Sequence, residues 1–457
     1  MTYQEFLKQK ELQSIVAGFD VDREEINPMA FDFQKDIIGW ALKRGKAAIF
    51  SDCGSGKTIM QLEYAYQVCK RTHGKALIIA PLSVVGQTKK EGIKFGVEVN
   101  ICREQSDVKD GINITNYEIL DHFNTREFNC IVLDESSILK SFTSATRNLL
   151  IDTFIETPYK LCCSATPSPN DFTELGSTVE FLGIMSRTEM LATYFIHDGK
   201  DTSKWRLKGY GEKKFWEWVA TWAVCVRNPS DLGYSSDGYK LPKLNLIEHV
   251  VKSEPGEYEL VAKRAETLSE RREARKESMN DRVEVAADLV RNSNDNWLVW
   301  CDYNIESQSL HKAIKDSVEI VGADSPERKA QTALDFADGK IKALVSKTSI
   351  YGFGMNFQSC HEMIFCGISD SYESFYQAVR RCWRYGQNNE VNVHIIISEK
   401  ELNVLENIKR KQDQMETMQN QMVALMHDIT MSEIKHTARI TTEYKPNVEM
   451  EIPKWIA

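Results

Sequence analysis

Two groups of residues, far apart in the chain, have types and spacings suited to phosphate chemistry. The first is Gly54–Ser55–Gly56–Lys57–Thr58, which follows the apolar run Ala47–Phe50 and precedes a helical pattern over Ile59–Val68. That is the setting a phosphate-binding loop needs. Backbone N–H groups from Cys53 to Gly56 would cradle phosphates at a helix N-terminus. Lys57 would reach the β- and γ-phosphates of ATP, and the Thr58 hydroxyl would bind Mg²⁺. Ser51 stands where the usual loop has its first glycine. The second group runs from Gln377 to Gln387, a glutamine followed four and seven residues later by Arg381 and Arg384. Arginines at i and i+3 would share one helical face. Facing a bound triphosphate, they would neutralise charge as the γ-phosphoryl group leaves. Hydrolysis would then depend on two separate bodies closing together.

Four weaker signals lie between and before these groups. Leu133–Asp134–Glu135–Ser136 ends an apolar strand with two carboxylates. Asp134 would hold Mg²⁺ through water, and Glu135 would orient or deprotonate the attacking water. Phe33–Gln34 lies upstream of the loop, and the Gln34 amide has the donor and acceptor needed for an adenine edge. Ser164–Ala165–Thr166–Pro167 offers short hydroxyls able to bond the carboxylate motif and relay its state. Thr348–Asn356 contains Gly352 and Gly354, which allow close backbone approach. Gly354 is a candidate nucleotide contact, and Thr348 and Asn356 are candidates for phosphate or ribose contacts.

The elements that must position these residues read as two α/β series. Ala47–Phe50, Ala76–Ala80, Ile112–Thr115, Ile131–Leu133 and Lys160–Cys163 are short apolar runs separated by helical patterns, the signature of buried parallel strands. Trp297–Cys301, Val318–Val321, Ala343–Ser346, Met363–Cys366 and Val391–Ile397 form the second series. The stretch Pro169–Asn296 lacks that rhythm. It holds the aromatic Phe215–Trp222, whose simplest reading is core packing, with a partner surface as the rival. It also holds a turn-rich segment, Asn228–Pro242, readable as a hinge, and a charged run from Gly256 to Arg291 with Tyr258, Val261, Ala265 and Leu268 on one face. Leu405, Ile408, Met415, Met418, Met422 and Leu425 form a helical stripe expected to pack on the second lobe. The predicted organisation is an N-terminal extension (1–29), a first lobe with a helical insertion (30–248), a second lobe with an N-terminal helical insertion (249–400) and a C-terminal helical extension (401–457).

At 457 residues, with 42% hydrophobic and 27% charged residues, the composition is that of an ordinary globular protein. The N-terminus lacks a secretory pattern and no apolar run reaches membrane-span length, so a cytoplasmic protein with no membrane partner is expected. Eleven cysteines without Cys-x-x-Cys spacing read as reduced, buried thiols, and nine histidines show no metal spacing. A net charge of −9 argues against a wholly basic nucleic-acid binder but leaves room for a local positive groove.

Taken in order, these motifs resemble those of a superfamily 2 helicase motor, over roughly Phe31 to Ile397. Phe33–Gln34 is similar to the glutamine motif, Asp52–Thr58 to motif I, and Asp134–Ser137 to motif II. Ser164–Pro167 is similar to motif III, Thr348–Asn356 to motif V, and Gln377–Gln387 to motif VI. Ala80–Val85 and Ile114–Leu120 resemble motifs Ia and Ib, which would place Pro81, Ser83, Thr115 and Asn116 with Thr348 and Asn356 on nucleic acid. Pro-Leu-Ser-Val-Val, Thr-Asn-Tyr-Glu and Arg-x-Gly-Gln resemble the Swi/Snf-like double-stranded DNA translocases, including the compact ones of bacterial viruses. The resemblance implies two RecA-like lobes, ATP and Mg²⁺ in the cleft, and DNA across both, duplex favoured over single-stranded. It also implies that Arg381 and Arg384 are the arginine fingers and that Gln377 faces the nucleotide. Motif II reads Asp-Glu-Ser-Ser, motif III continues Ser-Pro-Asn, and Arg380 occupies a position that is small in many relatives. An RNA-dependent ATPase, or a nucleotide-driven switch that recruits a protein without translocating, are the rival readings.

Overall fold

The computed structural model describes residues 17–140, 144–168, 171–197, 205–237, 239–252, 267–352 and 355–434. The first sheet is built from β1 (Lys46–Ser51), β2 (Lys75–Ala80), β3 (Val99–Ile101), β4 (Gly111–Asn116), β5 (Phe128–Asp134) and β6 (Tyr159–Ser164). An antiparallel hairpin, β7 (Phe195–His197) and β8 (Trp205–Leu207), stands apart, and the chain then returns to the first sheet with β9 (Ala223–Val226). The order is β3-β4-β2-β5-β6-β1-β9, parallel throughout. The apolar runs in these strands are buried on both faces, as a parallel sheet sandwiched by helices requires.

The second sheet contains β10 (Leu244–Val251), β11 (Trp297–Cys301), β12 (Ser317–Ile320), β13 (Ala343–Lys347), β14 (Glu362–Cys366) and β15 (Val391–Ser398). Its order is β10-β15-β14-β11-β13-β12, again parallel. Two doubly wound lobes are therefore present as expected, and every strand in both predicted series is found. The expected division at 248/249 falls inside β10, which pairs along its whole length with β15. The change of sheet lies between Val226 and Leu244. β10 mixes polar with apolar residues, Leu-Asn-Leu-Ile-Glu-His, and is mostly half-buried, as suits an edge strand, which hid it from a reading based on continuous apolar runs.

The insertion is not only helical. Helices Leu175–Leu182, Arg187–Tyr194 and Glu212–Val219 accompany the hairpin, and β9 completes the first sheet beside β1. Phe215, Trp216, Trp218 and Trp222 are buried, with Trp222 edge-on to Phe50 of β1 at 6.2 Å. Core packing is the role of this aromatic segment. Of the charged run, Tyr258, Val261 and Ala265 lie outside the described residues. Its later part forms helices Leu268–Glu277 and Met279–Arg291, whose buried Arg275 and Arg282 both pair with Glu306 at 2.9 Å.

The C-terminal helix, Leu402–Ile434, departs from expectation. Near its start Asn407 and Lys411 donate to Asp370 of the second lobe at 3.1 and 2.7 Å. Further on it lies against the Trp-bearing helix and β9 of the first lobe. Met415, Met418 and Met422 are buried there, and Gln419 donates to the Ala165 carbonyl at 3.1 Å. A helix of 33 residues is about 50 Å long, more than one lobe can cover, so it straps the two together. Residues 1–16 and 435–457, the latter the end of the expected helical extension, lie outside the described residues. Among the described residues no helix is long and apolar enough to cross a membrane. Met422→Ala should lower stability by about 2–5 kcal/mol in denaturant unfolding, the range for truncating a buried methionine. An unchanged midpoint would mean the helix does not dock on the first lobe in solution.

Candidate nucleotide cleft

The loop between β1 and helix Lys57–Thr72 turns through Gly54 and Gly56, whose φ angles of +86° and +82° favour glycine. Ser51, which replaces the usual first glycine, is accommodated by a hydroxyl pair: Ser55 Oγ donates to Ser51 Oγ at 2.8 Å. Lys57 Nζ folds back over the loop and donates to the carbonyls of Ser51 and Asp52 at 2.9 and 3.2 Å. Cys53 N–H donates to its neighbour Asp52 at 2.7 Å, and Thr58 is half-buried in the first helical turn. Gln34 is only 3% exposed and braces this loop. Its Nε2 donates to the Ser55 carbonyl at 2.8 Å and its Oε1 accepts from Phe31 N–H at 2.9 Å. A Cβ on Gly56 would lie 2.2 Å from Gln34 Nε2, so that glycine is what lets the glutamine dock.

Asp134 closes β5, and both its ends are fixed. Gln61, one turn beyond Thr58 on the same helix, donates to Asp134 Oδ1 at 2.7 Å, and the Tyr117 hydroxyl donates to its carbonyl at 2.7 Å. Glu135 follows in the left-handed region with φ of +53°, a strained setting for a side-chain-bearing residue. Its Oε2 is buried without a hydrogen-bond partner. Burial raises the affinity of both carboxylates for a proton, against the pull of the Lys57 and Arg381 charges. The Ser164 hydroxyl accepts from Thr166 N–H at 3.0 Å, while Thr166 Oγ1 donates to Glu373 of the second lobe at 3.4 Å. Lys140 pairs with the same Glu373. This segment bonds the opposite lobe rather than the carboxylate motif.

From the second lobe comes helix Tyr372–Val379, and here the expected geometry is corrected. The helix ends before the arginines: Arg380 is its C-cap, and Arg381 and Arg384 lie in the turns beyond. They converge by bonding a shared carbonyl, not by helical spacing. Arg381 donates to the carbonyls of Gln377 and Met355 at 2.9 and 3.1 Å, and Arg384 reaches Met355 at 3.4 Å. Gln377 is 1% exposed and neither amide atom has a partner. Arg380, unassigned by the sequence, sits directly on the phosphate loop. Its Nη2 is 2.9 Å from Asp52 Oδ2 and also donates to the Cys53 carbonyl, while Tyr376 donates to Asp52. Burial opposes the Arg380 charge, but Asp52 foremost, together with Tyr376 and Cys53, more than restores it. Arg384 is pushed down to about 10, by burial first and then by repulsion from Arg381. Several guanidinium N–H groups here, Arg380 Nε and Nη1 and Arg384 Nε, have no acceptor. A polyphosphate fits this donor-rich wall.

The remaining candidates are distributed differently. Pro81 caps helix Leu82–Phe95, and Ser83 lies in its partly exposed first turn. Thr115 is buried in the sheet at 1% exposure, and Asn116 Oδ1 is used to accept Glu118 N–H at 3.0 Å. Thr348 accepts from Ser374 Oγ at 3.1 Å, and Asn356 is exposed. Gly354 lies outside the described residues. Sequence reasoning missed Gln61, Tyr117, Tyr376 and the pairing of Asp52. Gln61 alone had a local signal, its i+3 spacing from Thr58.

The family model for the SNF2-related domain matches residues 33–195, and that for the helicase conserved C-terminal domain matches residues 281–386. The mouse DNA annealing helicase and endonuclease ZRANB3 is 27% identical over 177 residues, 35% of this chain and 16% of that protein. The ATP-dependent helicase FUN30 of Saccharomyces cerevisiae is 26% identical over 201 residues, 37% of this chain and 18% of that protein. The chain thus matches less than a fifth of the length of either curated relative. Among solved structures, S. cerevisiae Dbp5 bound to RNA and ADP BeF3 superimposes with a TM-score of 0.54 at 10% identity, covering 86% of this chain and 93% of that one, a likeness of fold. With both helicase halves matched in order, and their motifs meeting across one cleft between parallel sheets, the chain belongs to the Swi/Snf-like helicases of superfamily 2.

Proposed function

We propose that the chain is an ATP-driven motor on DNA, with duplex DNA as its principal track. The observation that carries this reading is the meeting of residues 52–57, Asp134, Glu135 and the 376–384 segment in one cleft. In this reading Lys57 leaves the Ser51 and Asp52 carbonyls for the β- and γ-phosphates of ATP. Thr58 and Asp134 hold Mg²⁺, which supplies Lewis-acid charge neutralisation on the phosphates. Glu135 takes the proton of the attacking water at its unpaired Oε2, and burial suits it to that role by raising its basicity. Arg381 and Arg384 stabilise the charge that develops at the γ-phosphate, and Gln377 supplies buried amide contacts. Gln34, which already grips the loop, reads the adenine side.

Closure would be transmitted to the track through Thr166, Lys140 and Glu373 and through the strap helix. Among the proposed nucleic-acid contacts, Pro81, Ser83, Thr348 and Asn356 are accessible or half-accessible. Thr115 and Asn116 would act by shaping the surface beside them. Contacts of this kind address phosphates and are indifferent to sequence.

The test is ATP turnover with no polymer, single-stranded DNA, duplex DNA and RNA, followed by triplex-strand displacement. Stimulation by duplex DNA with triplex displacement is the expected result, and stimulation by RNA alone would overturn the choice of track. Lys57→Ala should abolish turnover, and Arg381→Ala should keep nucleotide binding while slowing hydrolysis by on the order of 10³.

Glu135→Gln should bind ATP without turnover, and its stability should show why the wild-type carboxylate is costly. A carboxylate whose folded pKa is raised binds protons in the native state that the unfolded chain has lost, so stability falls as pH rises between the two values. The amide escapes that cost. Glu135→Gln should therefore melt higher than the wild type at pH 8, by an amount on the order of 1 kcal/mol for one unpaired buried group. The difference should vanish below the ordinary glutamate range. Equal melting temperatures at pH 8 would place Glu135 in water.

A further inference from the structure

At the opposite end of the second sheet from the cleft, three side chains converge that the linear spacing of the histidines conceals. Asp295 lies two residues before β11, His361 immediately before β14, and Glu362 begins β14. These strands are neighbours, with Trp297 opposite Glu362. One oxygen or nitrogen from each of the three groups falls within 4.8 Å of the others. His361 Nε2 faces Asp295 Oδ1 at 3.7 Å and Glu362 Oε1 at 3.9 Å.

Those separations are too long for hydrogen bonds. They are a few tenths of an ångström beyond the spacing of about 3.4 Å between ligands held about 2.1 Å from a common tetrahedral ion. The Glu362 carboxylate is also held in place by partners that a simple surface ion pair does not need. Asn392 Nδ2 donates to Oε1 at 2.7 Å, His394 Nε2 lies 3.3 Å from Oε2, and His394 Nδ1 in turn meets His249 Nε2 at 2.9 Å. Orientation of a ligating carboxylate by outer hydrogen bonds is the usual construction of a metal centre.

We propose that Asp295, His361 and Glu362 form a divalent transition-metal site, with His394 and Asn392 as positioning residues and water completing the shell. One imidazole and two carboxylates suit Zn²⁺ best, tolerate Mn²⁺ or Co²⁺, and offer little to Mg²⁺, which prefers all-oxygen octahedral sites. The ion would clamp the starts of β11 and β14, stiffening the base of the lobe whose opposite edge carries the arginines. The site is independent of the nucleotide.

The experiment uses the full chain, stripped with chelator and free of nucleotide, titrated with Zn²⁺ in equilibrium dialysis and with Co²⁺ by absorbance. One equivalent of Zn²⁺ is expected, together with a rise in the unfolding midpoint that Mg²⁺ does not reproduce. His361→Ala and Asp295→Asn should each lose both effects, and His394→Ala should weaken binding by about tenfold. Asp295 is exposed, so its variant tests the site without disturbing the core. Binding and stabilisation that survive in both His361→Ala and Asp295→Asn would overturn the proposal. So would a sulfur-to-cobalt charge-transfer band, which would assign the ion to one of the eleven cysteines.

Discussion

Charge held out of water at the junction of the lobes is the constraint around which this molecule is arranged. Lys57, Asp134, Glu135, Arg380, Arg381 and Arg384 crowd into one cleft, Arg380 and Arg381 buried and the others half-buried. An uncompensated buried ion costs several kcal/mol. Neither face of the cleft can therefore be buried alone. The acids at the end of β5 need cations, and the arginines beyond helix Tyr372–Val379 need anions. Asp52 answers Arg380 across the gap, and Lys57 tempers the two acids, but Arg384 remains crowded by its neighbours. A polyphosphate is an anion that would complete the balance.

Two apolar connections hold the lobes near enough for that balance to operate. One is the strap helix, anchored at Asp370 and buried by its methionines against the Trp-bearing helix. The other is the connector 227–243. Its Tyr239 packs edge-on to Phe31 and Phe33 at 6.0 and 5.6 Å and stacks on Tyr385 at 4.8 Å. Trp383 adds a hydrogen bond to the Pro242 carbonyl at 2.7 Å. The segment that supplies Gln34 and the segment that supplies the arginines thus share one aromatic partner. Any rotation of one lobe must slide these rings, so the Gln34 side and the arginine side of the cleft are mechanically joined.

How far the sequence disclosed this follows from where each signal resides. Parallel strands buried on both faces are continuous apolar runs, and the phosphate loop is a contiguous string, so both were legible. The edge strand β10 interrupts its apolar residues with polar ones, and four-residue β9 follows an aromatic helix without a turn signal, so neither stood out. The arginine block was found by its spacing, yet its geometry was misjudged. Helical periodicity explains i and i+3 equally well as a turn gathered around the Met355 carbonyl. The strap was recognised as an amphipathic helix and assigned to the second lobe, which its start does contact, but its docking on the first lobe was missed, because an apolar stripe does not name every surface it covers.

Arg380 shows most clearly what one-dimensional reading omits. Its position carried no meaning beside Gln377 and Arg381, since its partners Asp52 and Cys53 are more than 320 residues away. Only the fold brings the guanidinium between the rings of Tyr376 and Trp383, at 5.8 and 5.0 Å, and onto the loop. Once there, it changes the electrostatics of both neighbours. It adds to the repulsion that lowers Arg384, and it draws Asp52, the acid beside the loop, into the opposite lobe. A small residue at 380 would leave Asp52 with the Tyr376 hydroxyl and the Cys53 N–H as partners, and the cleft would lose its one direct ion pair onto the phosphate loop among the described residues. Arg380 is buried and Asp52 half-buried, so removing the arginine takes away a cation that the carboxylate meets only where the two lobes touch, and the cost falls on that arrangement. The identity of residue 380 therefore bears on the balance between open and closed lobes, independently of Arg381 and Arg384.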